Sequence, residues 1–378
     1  MMALCDPAPA RSDVSVELPD GVPVLTTFYL YLTTGCNLRC RHCWLAPSFS
    51  PGELGPDEYL DIDLLRRAVA EGKALGLRSA KLTGGEPLLH PRFVEIVDLL
   101  STEGLEITME TNGTLLEAGL ARYLQEHTRL TLISVSLDGA TAGVHDSFRG
   151  VEGAFEAALR GLEALVSAGY RPQVIMCPHR GNVHQVEALV DLAVRMGAGS
   201  VKFNPVSRSG RGIAMYERGE ALDVAEVLEL AHFIRGPLQR RTPIPLILST
   251  PPALYTVGEL LHRRDGICQI HHILGILGNG ELALCGIGRT VPELCFGHLR
   301  EVSVAEVWQE HPLLQELRRE LAGPFPDLCG RCLHAGHCLT YCPAQNFLDG
   351  GRLISPSSLC LEAYRRGLFP AGRLREER

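Results

Sequence analysis

The sequence predicts an α/β protein in two parts, a partial (β/α)6 TIM-like barrel followed by a smaller cysteine-rich extension. Three observations carry this. Apolar runs of strand length alternate six times with segments of helical spacing between residues 24 and 240. The alternation stops near Arg241-Thr-Pro-Ile-Pro, Pro251-Pro252 follows, and the later helical segments shorten. Eight of the thirteen cysteines lie beyond that point, so the second part is organised by something other than repeated strand–helix packing. The expected boundaries are an N-terminal arm at 1–23, the barrel at 24–240 and the extension at 241–378.

The first strand is the apolar run 24–32. A helix at 59–75 carries Leu60, Leu64, Leu65, Ala68 and Val69 at helical spacing, and 79–83 reads as strand two. Helix 93–100 leads to strand 105–110, and helix 115–124 to strand 130–137. Helix 155–167, with Phe155, Ala158, Leu159, Leu162, Leu165 and Val166 on one face, leads to strand 173–176; helix 186–196 leads to strand 200–204, and helix 222–233 closes the series. Right-handed crossovers between such units curl a parallel sheet and gather its chemistry at the C-terminal strand ends. Beyond the boundary, the Gly-Asn-Gly at 278–280 between two apolar runs signals a hairpin.

Composition excludes some partners. The net charge is −8 over 378 residues, which argues against a nucleic-acid or anionic-membrane surface. No run approaches the roughly 18 apolar residues of a membrane span, and the N-terminus has no apolar signal core. A cytoplasmic protein is expected. In a reducing compartment thirteen cysteines are better suited to metal or catalytic roles than to disulfides.

Cys36, Cys40 and Cys43 fall on the loop leaving strand one with C-x3-C-x2-C spacing. A four-iron cube takes thiolate ligands, and three close cysteines without a nearby fourth leave one iron open; a zinc site would need a fourth ligand, which His42 could supply only awkwardly. Strand two ends in Leu82-Thr-Gly-Gly-Glu-Pro87, where two glycines allow close backbone approach and the carboxylate can take an amino group. Strand three ends at Glu110-Thr-Asn-Gly113. Strand four ends Ser134-Val-Ser-Leu-Asp-Gly139, followed by His145-Asp146 and Arg149-Gly150. Singly these residues are equally suited to capping and turns. Together they resemble the radical S-adenosylmethionine (SAM) superfamily. The resemblance implies a [4Fe-4S] cluster on Cys36, Cys40 and Cys43, a methionine-binding turn at Gly84, Gly85 and Glu86, and further S-adenosylmethionine contacts from Asn112, Ser136 and Arg149. Trp44 would cover the cluster or the adenine, or pack in the core.

In the extension, Cys268-x11-Gly280-x4-Cys285 precedes Cys329-x2-Cys332-x5-Cys338-x3-Cys342 and Cys360. This order resembles the SPASM extension, which implies two auxiliary [4Fe-4S] clusters with interleaved ligands: Cys268, Cys285 and Cys342 for one, Cys329, Cys332, Cys338 and Cys360 for the other. A zinc ribbon over 329–342 is the alternative. Two departures stand out. Relatives with a fully ligated first auxiliary cluster carry a further cysteine six residues before Cys268, where this chain has His262, so either the histidine ligates, another group does, or an iron stays open. Sulfatase-maturating relatives carry an aspartate base after the equivalent of Cys285, where this chain has Gly286.

The resemblance implies reductive cleavage of S-adenosylmethionine to a 5′-deoxyadenosyl radical that abstracts a hydrogen atom. The expected substrate is a residue of a ribosomally made precursor peptide, which is cross-linked, oxidised or epimerised. Alternatives are a small metabolite or cofactor such as a tetrapyrrole, or a non-catalytic iron–sulfur or zinc-stabilised scaffold. A flavodoxin- or ferredoxin-type protein would donate the electron. Only 23 residues precede the first strand, so leader recognition would fall to a separate protein or to the extension. Cys177, at the end of strand five, is a candidate hydrogen donor with buried packing as its alternative. Cys5 and Cys295 have no assigned role.

Overall fold

The computed structural model describes residues 16–55, 58–261, 263 and 266–376. Cys5 and His262 lie outside the described residues. In chain order the strands of the main sheet are β1 (Thr27–Tyr31), β2 (Ser79–Thr83), β3 (Glu106–Thr111), β4 (Leu130–Ser136), β5 (Gln173–Met176), β6 (Ser200–Phe203), β7 (Leu246–Leu248), β8 (Ile273–Ile276), β9 (Glu281–Ala283) and β10 (Cys295–His298). Strands β1 to β7 lie side by side in sequence order, every neighbour parallel. The helices between them are α1 (Ile62–Ala74), α2 (Phe93–Thr102), α3 (Ala118–His127), α4 (Ala142–Arg149), α5 (Ala154–Ser167), α6 (Val186–Arg195), α7 (Gly212–Glu217) and α8 (Val224–Phe233).

Local chemistry sets the helix ends. Asp61 caps α1 by accepting from the Asp63 and Leu64 amides, and Asp223 and Glu226 form a reciprocal capping box on α8. Helix α1 seats on β1 through Gly72, where an added Cβ would stand 2.8 Å from the Phe28 ring. A mid-helix glycine costs about 1 kcal/mol against alanine; here it lets helix and sheet close.

The sheet does not stop at residue 240. Strand β7 lies beyond it, three fully buried residues that pair with β6. At the other edge the expected hairpin forms β8 and β9, and β8 lies parallel to β1. Both edges of the barrel are therefore supplied by the segment after residue 240. Helix α4 is also absent from the sequence reading, because its eight residues follow the strand-four motif with little apolar repeat.

Strand alternation divides the sheet into two faces. Phe28, Leu30, Ala80, Leu82, Ile107, Met109, Ile133, Val135, Val174, Met176, Val201 and Phe203 belong to the main core. The opposite face is polar. Glu110, Ser134, Gln173 and Ser200 stand in register across β3 to β6. Ser134 meets Gln173 at 3.2 Å, and Gln173 Nε2 donates to Ser200 Oγ at 3.0 Å. A closed barrel of this type is filled by bulky branched side chains, whereas this lumen presents hydroxyls, an amide and charges. Among the described residues no helix is long and apolar enough to cross a membrane.

Candidate functional site

The loop after β1 brings Cys36, Cys40 and Cys43 into one buried group with Leu38, Val151 and Ala154. Donors are aimed at two of the sulfurs. The Leu38 amide lies 3.4 Å and Asn112 Nδ2 3.9 Å from Cys36 Sγ, and Arg149 Nη1 lies 3.6 Å from Cys40 Sγ. Burial pushes both thiols upward, and neighbouring thiols add to it. A thiolate here therefore depends on such donors and on a bound cation. Two outside segments hold the loop. Arg39 and Arg41 amides donate to the Arg149 and Phe148 carbonyls at the end of α4, Arg211 Nε donates to the Cys40 carbonyl (2.8 Å), and the Arg211 amide donates to the Cys43 carbonyl (3.0 Å).

The Gly84–Gly85–Glu86 turn packs on this loop. The Gly85 amide donates to the Thr33 carbonyl and the Glu86 amide to the Gly35 carbonyl. A Cβ on Gly85 would lie 1.7 Å from Gly35 O, and Gly84 has φ +136° with Thr33 O 3.0 Å from its Cβ position. What approaches these glycines closely is the cysteine loop itself. Glu86 is fully buried and ties the turn to the end of β3, accepting from Thr111 Oγ1 (2.6 Å), the Asn112 amide (2.8 Å) and the Leu88 amide (3.2 Å). Burial raises its carboxyl to about 7 against the pull of those three donors. Asn112 spends its side chain on Asn37 and Thr114 as well as on Cys36.

Arg149 pairs with fully buried Asp138 at 2.6 Å. Asp138 Oδ1 accepts from the Cys177 amide (2.6 Å), and the Asp138 amide donates to His145 Nδ1 (3.0 Å). Asn182 Nδ2 closes the network on the Asp138 and Cys177 carbonyls. Burial pushes the Asp138 carboxyl up, but Arg149, His42 and His145 more than offset it, leaving it below its ordinary value. The stability it contributes is present above about pH 4 and is lost as pH falls through the lowered folded value. Asp138→Asn strands a buried guanidinium, so we expect a loss of about 3–5 kcal/mol at neutral pH. The loss should read as a lowered unfolding midpoint, and the gap to the parent should narrow below about pH 4.

The extension's cysteines fall into two groups. Cys268, Cys285 and Cys342 line one cavity together with Tyr29, Tyr31, Trp44, Lys81 and Glu110, opening onto the barrel lumen. Cys329, Cys332, Cys338 and Cys360 form the other: burial, reinforced by neighbouring thiols of this set, pushes Cys329 and Cys338 up to about 12 and Cys360 higher still. Cys338 and Cys342 are four positions apart yet belong to different groups. Leu339, Thr340 and Tyr341 between them all have positive φ (49°, 62° and 72°), a left-handed run that turns the chain over. Each such residue costs roughly 1–2 kcal/mol. The run is braced by Tyr341 Oη on the Ser249 carbonyl and by Asn346 Nδ2 on the Thr340 and Ser355 carbonyls.

Comparison with known proteins agrees with this layout. Residues 30–193 match the family model for the Radical SAM superfamily, and residues 268–333 match SPASM, an iron-sulfur cluster-binding domain. The chain belongs to the radical SAM superfamily and carries a SPASM extension. Among curated radical SAM relatives, the AdoMet-dependent heme synthase of Methanosarcina barkeri is 28% identical over 89% of this chain and 95% of its own length. The mycofactocin maturase MftC of Mycobacterium ulcerans is 28% identical over 88% and 87%. Streptococcus suis SuiB, solved bound to the precursor peptide SuiA, shares the fold with TM-score 0.68 at 16% identity, covering 90% of this chain and 76% of SuiB. These two domains imply a [4Fe-4S] cluster and S-adenosylmethionine.

The residues present fit a radical SAM cluster. Three close thiols, two of them buried with hydrogen-bond donors or a guanidinium at sulfur, form the surroundings that hold and tune such a cluster. Among the described residues no group of three His, Cys, Asp or Glu side chains converges as a single metal ion requires. His42 instead stacks on Phe148 (4.4 Å, 8°), which stacks on His179 (4.1 Å, 11°), and burial lowers His42 to about 3.

The remaining sequence candidates are placed as follows. Ser136 ends β4, half-buried. Trp44 meets Tyr31 edge-on, centroids 6.4 Å apart. Cys177 packs in a separate apolar cluster with Phe148, Val206, Met215 and Ala221, and burial keeps its thiol protonated. Cys295 Sγ donates to the Gly288 carbonyl at 3.3 Å. The missing aspartate after Cys285 has a local reason. The Gly286 amide donates to Tyr31 Oη (2.7 Å), and a Cβ on Gly286 would stand 2.3 Å from that ring. Sequence reasoning missed Arg211, although it sits in the glycine-rich stretch 207–212 directly after β6, where a loop-clasping residue is expected.

Proposed function

We propose that this radical SAM enzyme modifies one residue of a ribosomally made precursor peptide. The observation that carries the reading is the lumen cavity of about 110 Å³ lined by Tyr29, Tyr31, Trp44, Lys81, Glu110 and Ile273 beside Cys268, Cys285 and Cys342. A peptide presents one side chain at a time to a cavity of this kind. The maturase relative at 28% identity supports the same reading.

In this proposal Cys36, Cys40 and Cys43 hold the primary cluster. The ends of β2 to β4, with Gly84, Gly85, Glu86, Asn112, Ser136 and Arg149, face S-adenosylmethionine. When bound, the cluster supplies the electron that cleaves S-adenosylmethionine to methionine and a hydrogen-abstracting 5′-deoxyadenosyl radical. The chain's part is to hold the loop, keep Arg149 charged through Asp138, and exclude water from the lumen. Cys268, Cys285 and Cys342 hold one auxiliary cluster, and Cys329, Cys332, Cys338 and Cys360 the other. A flavodoxin- or ferredoxin-type donor and a separate leader-binding protein complete the system. Modification of a tetrapyrrole is the second reading, favoured by the heme synthase relative matched over 95% of its length.

Co-expression with a short peptide encoded beside the gene should yield a Cys40-dependent mass change in that peptide. Anaerobically reconstituted protein should carry about twelve irons and as many sulfides, four per cube. An unmodified peptide alongside an altered porphyrin would replace the first reading by the second, and about four irons with tightly held zinc would overturn the auxiliary pair.

A further inference from the structure

We infer that the SPASM extension supplies the radical-generating loop with a positioning residue, Arg289, which together with Gly278 grips both ends of the loop that carries Cys36, Cys40 and Cys43. The inference rests on those three thiols holding the primary cluster, as proposed above, and is independent of the substrate.

Register brings the two segments together. Strand β8 runs parallel to β1 with Ile276 opposite Leu30, so the chain leaving β8 emerges beside the chain leaving β1. Gly278, in the turn of the β8–β9 hairpin, lies against the entry to the loop: a Cβ there would stand 2.8 Å from Thr33 C and 3.0 Å from Thr34 N. Any side chain at 278 would push the hairpin off the loop. After β9 the chain makes a single turn at 286–289, fixed at its start by the Gly286 amide donating to Tyr31 Oη (2.7 Å). This turn delivers Arg289 to the loop's exit, where its Nε donates to the Leu45 carbonyl at 3.1 Å. Among the described residues Arg289 has no ion-pair partner, so its fixed partner is that carbonyl.

The barrel holds the same stretch from its own side, with Arg211 donating to the Cys40 and Pro47 carbonyls. The extension's grip is tight at Leu45 and open beyond it. The Leu45 side chain is buried with Tyr31, Leu277 and Ala283, while a cavity of about 240 Å³ opens alongside, lined by Thr33, Thr34, Gly85, Gly278 and Arg289. Packing contacts are lost wherever such a space opens, so the extension's hold on the loop falls to Leu45, Arg289 and Gly278. Leu45 follows Cys43 with only Trp44 between them. Releasing it frees the third thiol of the set to shift against the Gly84–Gly85 turn, and a misplacement of about 1 Å is enough to cost most of a rate.

The test is hydrogen exchange on the anaerobically reconstituted full-length protein, followed by electron paramagnetic resonance of its reduced primary cluster. Arg289→Met should speed amide exchange in residues 36–47 by about tenfold, the worth of one hydrogen bond from a charged donor. Arg289→Lys keeps a donor for the Leu45 carbonyl and should restore most of the protection, and Gly278→Ala should loosen 33–36 from the other end. Circular dichroism checks that each variant is folded. The spectral response to S-adenosylmethionine should need about tenfold more of it in Arg289→Met and return towards the parent value in Arg289→Lys. Unchanged exchange in 36–47, or faster exchange with an unchanged S-adenosylmethionine titration, overturns the positioning role. A parent protein without a primary-cluster signal overturns the cysteine assignment and this inference with it. Exchange and titration that shift as expected in a protein that leaves its neighbouring peptide unmodified count against the peptide reading and leave Arg289's role standing.

Discussion

Cys40→Ala should reduce 5′-deoxyadenosine release under a strong reductant to background. The expectation follows from ligand number. In the proposed assignment Cys36, Cys40 and Cys43 would together hold the primary cluster; with two thiolates left, it would have no secure seat. Cys40 is buried, and its sulfur is the one that meets the Arg149 guanidinium. The substitution should be mild for the fold, about 1–2 kcal/mol for a small buried side chain, because Arg149 keeps its pair with Asp138. The measurements are chromatography of the nucleoside and iron counting, which should fall by about four atoms while the extension keeps its share. Undiminished nucleoside from this variant would place radical generation elsewhere in the chain.

Gly85→Ala should have the second large effect, without touching any ligand. The new methyl would sit 1.7 Å from Gly35 O and 2.4 Å from Gly35 C. Both are backbone atoms at the root of the cysteine loop and cannot turn aside as a side chain would. Either the turn or the loop must move, breaking the hydrogen bonds that the Gly85 and Glu86 amides donate to the Thr33 and Gly35 carbonyls. Overpacking of this kind costs about 1–3 kcal/mol, and more where the backbone is rigid. We expect a lower unfolding midpoint and loss of the primary cluster's absorption, with the cysteines of 329–360 unaffected. Gly52→Ala is the control: nothing lies within 4 Å of its Cβ position, so the change should stay within about 0.5 kcal/mol.

Much of the barrel could be read from the chain because each strand–helix unit is locally coherent. Apolar spacing of 2 or 3.6 is decided within a dozen residues, and α1, α2, α5 and α6 form where that spacing put them. The grouping of the extension's cysteines was not legible from their spacing and entered only as what the resemblance to the SPASM extension implies. Strand β7 was not legible: three residues carry no period, and their burial comes from β6 alongside. Arg149 illustrates a different limit. As a candidate contact to S-adenosylmethionine it was read from its neighbours in sequence, but its ion pair is with Asp138, eleven positions away, and its sulfur contact is with Cys40, 109 positions away. The glycines of the β2 turn were assigned to ligand approach, and their immediate neighbour is the loop backbone, a distinction that needs two segments brought together.

The left-handed run at 339–341 has a bearing on how the protein matures. Leu339, Thr340 and Tyr341 form a short crank joining Cys338 to Cys342, so the thiols of the two groups cannot be positioned independently. Tyr341 and Asn346 brace the crank through hydrogen bonds, and thiolate bonds to a cluster on each side would add a grip at both ends; binding energy of that kind is folding energy. Filling one group would then set the posture of the other, so that half-loaded protein is scarce and the extension is either fully built or slack. Under iron shortage the chain would divide into two populations, complete and empty, instead of a graded mixture.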